Sequence, residues 1–301
     1  MSHPGFRRST STNIGASSGY RRLEGKIAIV TGASRGIGKA ICKNLGGKGC
    51  SLIMNYTSDT SAEPTQTLAS DLKQEYGITT IVIQADMGHE AGPAHLVETA
   101  RNHLKHPKTG KFTIDIIINN AGVANNLSIE EANADDFAFQ YNVNVRGPLF
   151  LMKAALPYLP TDRSGRIVNL SSVSASMGFH KQSVYGGTKA ALEAMTRTWS
   201  RELSERATVN SVNPGPVDTD MYAEPSPEWQ RRMAGWLLNT PLAAGRDGID
   251  PPEVVERAKK DGGRTATADE IAGVVAMLCS ADSGFCTGSV ICANGGMRFS
   301  P

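Results

Sequence analysis

Tyr185 and Lys189 stand four residues apart, and Ser172 lies thirteen residues before the tyrosine. Residues i and i+4 are neighbours on a helix, so a phenol and an ammonium would share one face. A phenol titrates near pH ~10 and is a poor acid or base at neutrality. A cation held beside it favours the phenolate and lowers that pKa towards the working range. The pair therefore suits moving a proton on or off a carbonyl or alcohol oxygen, with the Ser172 hydroxyl placed to donate to the same oxygen. Ser171, Ser174 and Ser176 are rivals to Ser172 by type, and the Tyr-x-x-x-Lys spacing alone can arise on any helix.

Such groups need a scaffold, and the hydrophobic pattern supplies one. Short, continuous apolar runs occur at Ile27–Val30, Leu52–Met54, Ile81–Ile83, Ile114–Ile118, Ile167–Leu170, Val209–Val212 and Val290–Ile291. Runs without polar alternation predict strands covered on both faces, as in a parallel sheet. Helical periodicity fills the intervals, including a stripe from Tyr185 through Leu192 and Trp199 to Leu203 and a segment from about Asn133 to Leu159. The alternation predicts one α/β domain with a doubly wound parallel sheet over residues 23–301, whose ligands bind at the carboxyl ends of the strands. Ser172 falls at such an end. Residues 222–266, with Pro225, Pro227, Pro241, Pro251 and Pro252, are read as a helical lid or an insertion; Trp229, Trp236 and Leu237 would line a pocket or anchor it.

Thr31 to Gly38 follows the first strand and opens a helix. Gly32, Gly36 and Gly38 permit a tight turn and a close approach to a pyrophosphate; Ser34, Arg35 and Ile37 sit between them. The helix N-terminus offers unpaired N–H groups to phosphates. At the end of the second strand, where an NAD enzyme places a carboxylate for the ribose 2′-hydroxyl, the chain has Asn55-Tyr56-Thr57-Ser58 and no acid until Asp59. Hydroxyls and amides, with the Arg35 guanidinium, suit a 2′-phosphate. NADP(H) is therefore the expected cofactor.

The glycine loop, Asn119-Asn120-Ala121-Gly122, Asn144, Ser172, Tyr185, Lys189 and Asn213-Pro214-Gly215 together resemble the classical short-chain dehydrogenase/reductases, in order and spacing, from about Leu23 to Arg298. Within that family the chain looks most similar to 3-oxoacyl carrier-protein reductases and fungal polyhydroxynaphthalene reductases. The resemblance implies a Rossmann-type fold, a homotetramer or homodimer, and a reduction in which Ser172 positions a carbonyl, the nicotinamide gives hydride and Tyr185 gives the proton. It implies that Lys189 also binds the nicotinamide ribose and that Asn144 supports a water reaching the lysine. Asp86 would contact the adenine, and Asn120, with Ala121 and Gly122, would flank the cofactor. Thr219, beyond Pro214, Gly215 and Val217, would hold the nicotinamide amide. Departures are Gly186-Gly187-Thr188 where Ser-Ala-Ser is commoner, and Asn294-Gly295-Gly296 where Asp-Gly-Gly is usual. The substrate is left open between a quinone or polyketide ketone and an acyl-carrier thioester. An NAD-linked alcohol dehydrogenase and a non-catalytic dinucleotide-sensing regulator are the competing functions.

Bulk properties bound the partners. A net charge of +2 in 301 residues gives no reason to expect nucleic acid or a membrane surface. Five cysteines without paired spacing read as reduced thiols of a cytoplasmic protein. No histidine cluster has metal-ligand spacing. Residues 1–22, rich in Ser, Thr, Gly and Arg with no acid, read as a disordered tail; the lack of acids also fits a transit peptide, against which Pro4, Gly5, Gly15 and Gly19 argue.

Overall fold

A computed structural model describes residues 21–223 and 227–299. The expected tail falls on residues 1–22, so all but its last two residues lie outside the described part. Those two already belong to the fold: Arg21 pairs with Glu24 at 3.5 Å and Arg22 pairs with Asp282.

Seven strands form one parallel sheet: β1 (Ile27–Val30), β2 (Ser51–Tyr56), β3 (Thr80–Gln84), β4 (Ile116–Asn119), β5 (Gly165–Leu170), β6 (Ala207–Pro214) and β7 (Val290–Ala293). Their order is β3-β2-β1-β4-β5-β6-β7, with each neighbouring pair parallel. The order reverses between β1 and β4, which opens a crevice at their carboxyl ends. The helices are α1 (Gly36–Gly47), α2 (Ala62–Tyr76), α3 (Gly92–Leu104), α4 (Ala134–Tyr141), α5 (Gly147–Ala155), α6 (Ser174–Met177), α7 (Ser183–Glu202), α8 (Asp220–Ala223), α9 (Pro227–Leu238), α10 (Pro252–Asp261) and α11 (Ala268–Cys279).

Unbroken apolar strands follow from burial on both sides. Alternate residues Val30, Met54, Ile118, Val168 and Val212 point into one core with Ile41 and Leu45 of α1 and Ile271 and Val275 of α11. Ile29, Ile53, Ile117, Ile167 and Val209 point into the other, against Leu96 of α3, Leu151 of α5 and Trp199 of α7. Truncating such a side chain, as in Ile117→Ala, costs about 2–5 kcal/mol.

The segment expected as helical from Asn133 to Leu159 is broken. Asn133 caps α4 by accepting from the Asp136 N–H at 2.9 Å, but residues Asn142–Arg146 widen into a π turn before α5 begins. Such turns are rare and frequently sit at functional sites, and this one carries Asn144. The lid segment contains α9 and α10. Met233 and Leu237 of α9 and Val255 and Ala258 of α10 are buried, and the backbone at Ala266 returns to pair with Val217. Trp236 meets Phe179 edge-on at 5.8 Å, so it ties α9 to the loop before α7. The side chain of Trp229 lies outside the described residues.

Candidate active site

Every residue expected to do chemistry sits along the carboxyl edge of the sheet. Past β5, the Ser171 and Val173 amides donate to the Val212 and Pro214 carbonyls at 2.8 and 2.9 Å, so the β5 and β6 ends hold Ser172 between them. The Asn213 side chain donates to the Ser172 carbonyl at 2.9 Å. Tyr185 and Lys189 lie on α7, both almost fully buried. The Lys189 ammonium donates to the Leu170 carbonyl at 2.8 Å and lies 5.7 Å from the centre of the Tyr185 ring. Asn144 accepts from the Val123 N–H at 2.9 Å and donates to the Val123 carbonyl at 2.8 Å and to Thr188 Oγ1 at 3.0 Å. The Thr188 hydroxyl in turn donates to the Tyr185 carbonyl at 2.7 Å. The π turn therefore bolts the loop after β4 to α7.

The electrostatics differ from the sequence expectation in one respect. Lys189 was expected to depress the phenol; instead burial raises the Tyr185 pKa, and only the Ser172 hydroxyl works to lower it. Burial acts on the lysine as well, lowering it to about 8, and its ammonium is engaged by a main-chain carbonyl.

Sequence reasoning missed a buried acid one turn beyond Lys189. Glu193, 5% exposed, accepts from the Ser171 hydroxyl at 2.6 Å and from Asn213 Nδ2 at 3.1 Å. It joins α7, β5 and β6 directly beneath Ser172. Its i+4 spacing from Lys189 was the available signal, but spacing does not tell a buried network from a solvated face. The two glycines after Tyr185 also have a packing reason. A Cβ on Gly186 would come within 2.7 Å of the Ser174 carbonyl, and one on Gly187 within 2.9 Å of the Tyr141 hydroxyl. Asn294 accepts from the Gly296 and Arg298 amides at 3.2 and 3.3 Å, so the asparagine still caps its turn.

The cofactor residues divide. Gly32 and Gly36 have positive φ of 63° and 52°, and a Cβ on Gly38 would lie 2.1 Å from the Gly32 carbonyl, so no other residue fits there. Ser34, Arg35 and Ile37 complete the turn. Arg35 begins α1 without a side-chain cap, and the first turn of α1 holds no acid, leaving its amides and their dipole for an anion. Asn120 donates to the Thr31 and Gly32 carbonyls at 2.8 and 3.1 Å and shapes the loop from behind, with Ala121 beside it. Gly122 keeps the space in front of Lys189 open, since a Cβ there would stand 3.3 Å from the ammonium.

Asn55 turns away from the position proposed for a 2′-phosphate. Fully buried, it donates to the Ala85 carbonyl at 2.9 Å and accepts from the Gly32 N–H at 3.3 Å. Tyr56, Thr57 and Ser58 are left at the mouth of the crevice, and Asp59 is held by Gln84 at 2.8 Å. Arg35 reaches the exposed Asp220 at 3.6 Å, a contact that water screens and that holds the guanidinium only weakly. Asp86, at the end of β3, accepts from the Gly88 amide at 2.8 Å and is exposed. Pro214, Gly215 and Val217 continue from β6, and Thr219 lies against Gly36, so this loop crosses the glycine turn.

Beside Ser172 and Tyr185 opens a cavity of about 470 Å³, walled also by Phe179, Gln182, Val217 and Met233.

Comparison with known proteins gives the family. The family described as short chain dehydrogenase matches residues 26–230, and one described as enoyl-(acyl carrier protein) reductase matches residues 233–298. An L-xylulose reductase of Aspergillus niger is 49% identical over 295 residues, covering 93% of this chain and 99% of the relative. An L-xylo-3-hexulose reductase of Hypocrea jecorina is 49% identical over 300 residues, with coverage of 93% and 99%. Among solved structures, a blue fluorescent protein from a metagenomic library, in complex with NADPH, superposes with a TM-score of 0.75 at 31% identity, covering 92% of this chain and 100% of its own.

Proposed function

The chain belongs to the short-chain dehydrogenase/reductase family and is an oxidoreductase of it, and from that premise we propose that it is a cytoplasmic NADPH-dependent reductase of polyhydroxy ketones. The observation that carries the reading is the convergence of Ser172, Tyr185, Lys189 and Asn144 at one end of a cavity that opens beside the glycine turn. When bound, the dinucleotide supplies the hydride. Gly32 to Gly38 and the uncapped start of α1 would hold its pyrophosphate, and Arg35 with Tyr56, Thr57 and Ser58 would receive the 2′-phosphate. The Ser172 hydroxyl donates to the substrate carbonyl oxygen and holds it near the phenol. Tyr185, kept protonated by burial, gives that oxygen its proton as negative charge develops. Lys189, when protonated, stabilises the phenolate left behind.

The ketose assignment is supported by the two sugar-ketone reductases at 49% identity, which replace the more distant acyl-carrier and naphthol ketones as the best guide to substrate. Purified protein assayed with L-xylulose should oxidise NADPH in preference to NADH. Tyr185→Phe should lose at least ~10²-fold in kcat while still binding NADPH, because only the proton donor is removed. NADH preferred over NADPH would favour the NAD-linked reading. Tight NADPH binding without turnover of any ketone would favour the sensor.

A further inference from the structure

The wall of the cavity beyond Ser172 is a continuous series of polar side chains. The Ser172 hydroxyl donates to Ser174 Oγ at 3.0 Å, Ser174 Oγ donates to Gln182 Oε1 at 2.6 Å, and Gln182 Nε2 donates to Asn126 Oδ1 at 3.0 Å. All four residues line the cavity, and Val217, Met221 and Met233 give it an apolar lining as well. The series is fixed relative to the catalytic acid. Gln182 is the residue on which α7 begins, three positions before Tyr185, and its backbone is bridged to Leu127 beside Asn126. The Ser174 amide donates to Ser172 Oγ at 3.1 Å, so the first two members cannot move apart freely.

Resting on the reductase reading above, we infer that Ser174, Gln182 and Asn126 extend Ser172 into a rail that reads the hydroxyl groups of an open-chain polyhydroxy ketone. Hydroxyls and primary amides each donate and accept, as do alcohols, so every member can exchange its neighbour for a substrate hydroxyl without losing a hydrogen bond. Vicinal hydroxyls of a polyol also stand at hydrogen-bond separation from one another, which matches the spacing of the rail. A planar quinone or an acyl thioester has no hydroxyls on the carbons next to its carbonyl to offer. The size of the selectivity follows from the free state. A site with unpaired buried donors rejects a deoxy analogue by ~10⁴-fold or more. Here the members satisfy one another when empty, so each lost substrate contact is worth only a net hydrogen bond, about tenfold in affinity.

The test compares L-xylulose with 2-pentanone, a five-carbon ketone without the hydroxyls, using the full chain and NADPH. In Gln182→Met, which keeps the side-chain volume, the ratio of kcat/KM for L-xylulose to that for 2-pentanone should fall about tenfold, through KM rather than kcat. Asn126→Leu, at the exposed end of the rail, should move the ratio in the same direction. A ratio that stays constant while both ketones lose activity overturns the rail and leaves Gln182 a helix-starting residue. Wild type that reduces 2-pentanone as readily as L-xylulose, or reduces it alone, overturns the rail and leaves the carbonyl reductase standing. Wild type that reduces neither overturns both.

Discussion

In the proposed mechanism the charge state of Lys189 sets the working range. Its buried ammonium has a pKa lowered from 10.5 to about 8, so it is cationic below that pH and neutral above it. The proposed reduction would use the cation to stabilise the Tyr185 phenolate as the proton leaves. The kcat/KM for carbonyl reduction, which reports the free enzyme, should therefore decline as pH rises through about 8. A profile flat to pH 9.5 would show that the lysine charge is not used in this way. The stability sign runs differently. Between about 8 and 10.5 the unfolded chain binds more protons than the folded one, so this group favours the fold increasingly as pH rises across that window. On the same proposal Arg35 would act through its charge at the other end of the crevice. Arg35→Asp would set a carboxylate against the 2′-phosphate and should lower the NADPH-to-NADH preference in kcat/KM; an unchanged ratio would remove Arg35 from that role.

At the scale of elements, α7 has to approach both α4 and the turn after β5 closely enough to bring Tyr185 to Ser172. Gly186 and Gly187 permit that approach, each facing an oxygen where a Cβ would stand. The neighbour of Gly186 is a main-chain carbonyl that cannot swing away, whereas that of Gly187 is the tip of the Tyr141 ring. Gly186→Ala should therefore cost about 1–3 kcal/mol and Gly187→Ala less, read as the order of their falls in Tm. Equal falls would show that the backbone relaxes around either residue. Glu193 anchors the same helix from below through Ser171 and Asn213.

Across the whole molecule, one apolar surface is left uncovered. Phe137, Phe139, Leu149 and Leu156 of α4, α5 and the turn after them remain about half exposed, and Phe137 stacks on Tyr141 at 4.3 Å. These elements flank the π turn that carries Asn144, so a second copy packed there would brace the site from outside. The expected state is a homo-oligomer, and Phe139→Asp should shift its sedimentation towards the monomer. Wild type that sediments as a monomer would mean this face is simply solvated. Among the described residues no helix is long and apolar enough to cross a membrane.

Much of the architecture was readable because its causes are local or periodic. All seven apolar runs became strands, and Gly32, Gly36 and Gly38 mark a turn that only glycine can build. Tyr185, Lys189 and Ser172 were recognisable as a set because their order and spacing resemble those of the short-chain dehydrogenase/reductases, while spacing alone left Ser171, Ser174 and Ser176 as rivals. Other features depend on which residues distant in sequence come to face each other. Asn55 and Tyr56 are adjacent in the chain, yet the pleat of β2 buries one beneath the glycine turn and leaves the other at the crevice mouth. The path of α7 over β5 encloses Lys189, so desolvation lowers its pKa, which its spacing from Tyr185 does not reveal. The sequence by itself determined the scaffold, through the period of its apolar runs, and the family, through the order and spacing of its motifs. Tertiary structure decided which polar groups face the cavity and in what charge state, because burial and partner choice arise only when separate elements meet.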